Sequence, residues 1–183
     1  MIELLKRGFE EEINARDLAD ALRTHTPESV EQLAAELDSF LRAVPDAIAA
    51  AVAMTKDRRC GRAVAFATGA ILNYLFDEDD LLPESSFGAI GLLDDAYLVH
   101  AFVAMLRQTF PFVEPAASYA APEARVFDVV ASLLPEGISQ ALLRTCESTI
   151  QVAQSLFVPA DGAIGETQVR ADLRVTDALR ALA

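Results

Sequence analysis

The chain has no tryptophan, and it holds only two cysteines, two histidines and two lysines among 183 residues. Each shortage excludes something. With no tryptophan and aromatics at 7% of the chain, there is no stacking platform for nucleic-acid bases. Cys60 and Cys146 stand far apart and outside any CxxC spacing. They read as small buried residues in a reducing compartment, not as a disulfide or a metal knuckle. The GxSxG, HExxH, P-loop and GxGxxG patterns are all missing, so no known nucleophile elbow, zinc helix or phosphate cradle is written in the sequence. The opening MIELLKRGFEEE turns acidic at once and lacks the apolar core of a secretory signal. The expectation is a cytoplasmic protein. The longest apolar runs, 63–76 and 96–106, fall short of the ~20 residues that a membrane-spanning helix needs.

Positive charge is scarce as well. The chain has 28 acids against 15 bases, for a formal charge of −13. Such a surface repels phosphate backbones, which argues against nucleic-acid binding. It also disfavours anionic membranes, except where a local basic patch outweighs the total.

What is present is apolar and helical. Hydrophobic residues make up 52% of the chain. A chain of this length buries roughly 70% of its unfolded surface without a disulfide or metal staple. Apolar residues recur at steps of three and four, and strand-like alternation is nearly absent. One helix is expected from about Ile2 to Arg23. A second starts at Thr26-Pro27, with Val30, Leu33, Ala34, Leu37, Phe40, Leu41 and Val44 on one face. Pro45 resets the chain before an Ala-rich helix from Asp46 to about Lys56. Helix Cys60–Phe76 is apolar on nearly every side and is expected to be central. Leu92–Phe110 follows the acidic segment 77–91. Segments 122–134, 135–157 and 166–182 complete an all-α bundle of about seven or eight helices. Residues 1–111 form a main helical lobe. Residues 122–183 form a C-terminal lobe packed on it as one structural unit, beyond a Pro- and Ala-rich connection. GAIG occurs at 88–91 and at 162–165 and reads as a helix-entry loop used twice.

The acidic segment is the sharpest feature. Asp77, Glu78, Asp79, Asp80, Glu84, Asp94 and Asp95 crowd one turn, with no Lys or Arg from 77 to 106. Helix starts leave amides unpaired and carry the positive end of the dipole. Asp80, Asp94 and Asp95 therefore read first as structural caps. The alternative is a divalent cation such as Mg²⁺ or Ca²⁺ held by Asp80, Glu84, Asp94 and Asp95. The spacing weighs against it. Adjacent Asp94 and Asp95 point about 100° apart on a helix, and the loop lacks the EF-hand pattern.

Asp80-Leu81-Leu82-Pro83-Glu84, then Gly91-Leu92-Leu93-Asp94-Asp95-Ala96-Tyr97-Leu98-Val99, resembles the signature of the YkvA-like bacterial domain of unknown function. Asn73-Tyr74-Leu75-Phe76 matches the helix end that precedes that signature. The likeness covers residues 62–110. Glu84 stands where the family has Asp, and the loop Ser85–Ile90 lacks the usual proline. The resemblance implies a small helical domain and brings no reaction or cofactor.

Other residues carry weaker signals. His25 reads as an exposed turn residue. His100, in an apolar helix, reads as a buried hydrogen-bonded residue. Lys56–Arg62 is the only dense basic patch, and Cys60 sits beside it. Its plain reading is a solvated junction paired with Asp57 or with the acidic turn. Its sharper reading is a docking patch for an acidic partner or lipid headgroups through Arg58, Arg59 and Arg62. The loop around Phe110, Phe112 and Val113 is expected to expose apolar groups to a partner. Together these features favour a non-enzymatic protein-interaction module, with a homo-oligomer compatible. A metal-dependent enzyme and a peripheral membrane protein are the two rivals.

Overall fold

The computed structural model describes residues 30–76, 91–111 and 119–157. The expected helices 2–23 and 166–182, most of the acidic turn and both GAIG loops apart from Gly91 lie outside them. So do Asp80, Glu84, His25, Phe112 and Val113.

The described residues form α1 (Val30–Arg42), α2 (Val44–Met54), α3 (Gly61–Leu75), α4 (Gly91–Thr109), α5 (Ala124–Leu133) and α6 (Ile138–Phe157). They contain no strand. On α1 the expected stripe faces inward: Ala34, Leu37, Phe40 and Leu41 are buried, as is Val44 just beyond. Asp38 and Arg42 pair one turn apart on its outer side at 2.9 Å. Pro45 does not end the helical path. Ala43 stays helical, with φ −80° and ψ −9°, and Pro45 sits in the first turn of α2. There a missing N–H costs nothing, because first-turn amides have no partner inside their own helix.

The central helix is α4, which corrects the expectation for Cys60–Phe76. Every residue from Gly91 to Val103 is buried. α3 keeps an open face of Arg62, Ala65, Gly69 and Asn73, and Phe76 beyond its end is 61% exposed. The residues that make α3 look apolar all round are mostly small. Leaving small residues in water exposes little apolar area, so sequence apolarity alone did not force burial. α2, α3 and α6 pack along α4, and α1 and α5 close the remaining sides.

α5 and α6 meet at a turn where Gly137 has φ +84°, a left-handed conformation that side-chain-bearing residues adopt at a cost. Pro135 comes before this turn and its carbonyl accepts the Ile138 amide at 3.1 Å. α6 therefore starts three residues later than the proline suggests. Leu142, Cys146, Ile150 and Ala153 of α6 are buried.

α3 begins with a close backbone approach. A Cβ at Gly61 would lie 2.1 Å from the Thr55 carbonyl oxygen, whereas one at Gly69 would meet nothing within 4 Å. Gly61→Ala is therefore expected to destabilise by about 1–3 kcal/mol, because backbone must shift. Gly69→Ala should stabilise by roughly 0.5–1 kcal/mol, by narrowing the unfolded chain's freedom. Urea midpoints of the two variants check the opposite signs.

Candidate functional site

Two groups of polar side chains stand out: one is sealed inside the bundle and the other faces solvent.

The sealed group belongs to α4. Asp94 is fully buried and Asp95 is 4% exposed. Both lie at the start of α4, where the helix dipole favours negative charge. The Tyr74 hydroxyl of α3 donates to Asp94 Oδ2 at 3.5 Å. The carboxylate thus reaches across to the neighbouring helix as well as lying at the head of its own. Among the described residues no three His, Cys, Asp or Glu side chains gather to hold a metal ion.

His100 lies about one and a half turns further along α4 and is fully buried. Its Nε2 is 2.8 Å from the Phe40 carbonyl oxygen of α1, and its Nδ1 is 2.8 Å from the Tyr119 hydroxyl. A carbonyl only accepts, so Nε2 carries the proton and donates. Nδ1 then accepts from Tyr119. The Tyr119 ring stacks on the imidazole at 5.8 Å with 9° between planes, and the Arg107 guanidinium lies 4.8 Å from its centroid. Burial lowers the His100 pKa to about 4, against the opposing pull of the Phe40 carbonyl. Burial likewise raises the Tyr119 pKa to about 12, although Arg107 pulls it down. Both ring nitrogens are occupied, so this histidine fastens α1 and Tyr119 to α4 and has no free nitrogen for a substrate. Cys146 is similar: its thiol contacts the Leu98 carbonyl at 3.5 Å, and burial pushes its pKa up to about 12.

The open group is the turn between α2 and α3. Thr55 through Arg62, with Ala65, line a cavity of about 470 Å³. Arg58, Arg59 and Arg62 are exposed there, as the docking reading requires, and so is Lys56. Asp57 accepts the Arg59 amide at 2.7 Å and its guanidinium at 2.7 and 3.1 Å. Those hydrogen bonds from Arg59 hold the Asp57 pKa near 2. Pairing with Asp57, one half of the plain reading, accounts for Arg59. Lys56, Arg58 and Arg62 form no ion pair among the described residues. Pairing with the acidic turn falls on residues outside those described. Cys60 is buried and free, and burial, followed by the Asp57 charge, raises its thiol pKa. The basic neighbours do not activate it.

Phe110 is corrected. It is 4% exposed and belongs to the core, so it offers no ring to a partner. Phe76 is the large apolar side chain on the surface among the described residues, and the sequence reading had placed it inside a buried helix. Tyr74 and Tyr119 were missed as partners of Asp94 and His100. Their identity as tyrosines was the available signal, since a buried phenol needs a hydrogen-bond partner.

Comparison with protein-family models, with curated proteins and with solved structures gives no match for this chain.

Two predictions follow from the sealed group. Folded His100 titrates near 4 and an unfolded histidine near 6.5. The unfolded chain therefore binds more protons between these values. The stability that neutral His100 contributes is complete above pH 6.5 and declines as pH falls to 4, by up to about 3 kcal/mol. His100→Gln can still donate to Phe40 and accept from Tyr119 but cannot titrate. Urea unfolding at pH 7.5, 5.5 and 4 should show the wild-type advantage shrinking with acid, and parallel profiles would contradict the assignment. Separately, Asp94→Ala or Asp95→Ala should lower stability by on the order of 1–3 kcal/mol, as loss of buried hydrogen bonds does. Unchanged thermal melting of both would overturn a structural role for these carboxylates.

Proposed function

We propose that this chain is a non-enzymatic helical interaction module that docks an acidic protein partner on the turn between α2 and α3. The observation that carries this reading is the exposure of Lys56, Arg58 and Arg62 without an ion pair among the described residues, in a chain with 28 acids and 15 bases. An acidic chain has many carboxylates with which to neutralise a basic turn internally. Three exposed cations gathered at one turn add a local attraction for negative partners and speed their encounter. The cavity gives those charges a concave setting.

The buried groups support the non-enzymatic half of the reading. His100, Tyr119 and Cys146 are bonded inward, and their neutral forms are favoured. None is presented to an opening beside a nucleophile. The likeness of residues 62–110 to the YkvA-like signature agrees with a small helical domain.

Arg58→Glu/Arg62→Glu reverses the patch without touching the core. In-cell crosslinking of the wild-type chain should join Lys56 to acidic segments of a defined partner. The reversed variant should lose those crosslinks while keeping its melting temperature. Identical crosslinked partners for both chains would refute docking at this turn.

A further inference from the structure

We propose that the cavity between α2 and α3 is a binding site for a soluble phosphate monoester. The inference rests on the docking reading for its location and names the chemistry that the turn recognises.

The first argument is what holds the turn together. Asp57 clamps Arg59 through backbone and guanidinium. The Thr55 hydroxyl donates to the Val52 carbonyl at 2.7 Å. The Gly61 amide bonds the Asp57 carbonyl at 2.7 Å, and Gly61 lies tight against the Thr55 carbonyl. None of these contacts uses Lys56, Arg58 or Arg62. Three cations line the cavity without a visible part in shaping it.

The second argument is charge. Asp57, the one carboxylate lining the cavity, is matched by Arg59. Among the described residues, three positive charges at the cavity remain without a carboxylate partner. A single carboxylate offsets one of them. A phosphate monoester carries roughly −1.5 to −2 near neutral pH and offers three acceptor oxygens. Two of the three cations are arginines, whose planar forks match phosphate oxygens pairwise.

The third argument is the helix beside them. The first turn of α3 holds no acidic residue, and Cys60 in front of it makes no side-chain cap bond. The positive pole of α3 therefore adds to the field of the side chains. A soluble source is favoured over a bilayer. The chain's net charge of −13 repels anionic membranes over most of its surface.

The test uses the full chain. Labelled amides are followed by NMR during titration with O-phosphoserine, and with malonate at equal ionic strength. Residues 55–63 should shift saturably with O-phosphoserine, at least about fivefold more tightly than with malonate. Arg58→Gln/Arg62→Gln should weaken that binding by about tenfold or more with an unchanged melting temperature. Equal response to malonate, or undiminished binding by the double variant, would overturn the site. In a second arm, tighter binding to phosphatidic acid vesicles than to O-phosphoserine at equal phosphate concentration would overturn the soluble source. If O-phosphoserine fails while charge reversal still abolishes partner crosslinks, the phosphate site falls and the docking surface stands.

Discussion

Thirteen consecutive residues of α4, Gly91 to Val103, have no side open to solvent, and three of them are Asp94, Asp95 and His100. A polar group taken out of water must recover its hydrogen bonds from the protein or destabilise it. That requirement organises the bundle. Asp94 draws the Tyr74 hydroxyl from α3. His100 draws the Phe40 carbonyl from α1 and Tyr119 from the approach to α5. The Leu98 carbonyl takes the Cys146 thiol from α6. Apolar contact alone would let neighbouring helices slide or rotate with modest cost, since volume and patterning tolerate repacking. Directional bonds from one buried helix to its neighbours favour a single register.

The same requirement explains why α4 was hard to place from sequence. Helix positions themselves were legible, because period 3.6 is a local property. α2 and α3 start and end, and α1 and α4 end, close to where apolar spacing, prolines and charged junctions put them. Which helix is central is not a local property. Asp94, Asp95 and His100 interrupt the apolar pattern of α4. The partner of Asp94 sits 20 residues away in sequence, and those of His100 sit 60 and 19 away. No window of a dozen residues contains those pairs. α3 misleads in the opposite sense. Ala65 and Gly69 count as apolar, yet both lie exposed.

The candidate surface was partly legible. A run of Lys56, Arg58, Arg59 and Arg62 in an acidic chain is plain in the sequence, and so is Asp57 within it. The division of labour among them is not. Only geometry shows that Asp57 closes on Arg59 and leaves the rest. Phe110 shows a related limit. Prolines on either side of Phe112 suggested an exposed loop, but Phe110 precedes Pro111 and continues the buried face of α4, where its amide still bonds the Leu106 carbonyl at 2.8 Å.

The buried and exposed polar groups therefore behave in opposite ways, and the contrast bears on function. Inside, each described donor or acceptor pair is also a packing contact, so altering it for chemistry would disturb the fold. A histidine that must stay neutral to keep two neighbours in place is poorly suited to carry protons for a substrate. Outside, Asp57, Arg59 and Gly61 set the turn's shape, so the proposed binding through Lys56, Arg58 and Arg62 asks no helix to move. Exposed cations around a concavity fit the proposed recognition. Long basic side chains in water lose only rotamer freedom when a partner fixes them, about 0.5–1.5 kcal/mol each. Release of counterions and charge-assisted hydrogen bonds to a dianion outweigh that loss more readily than a single ion pair does.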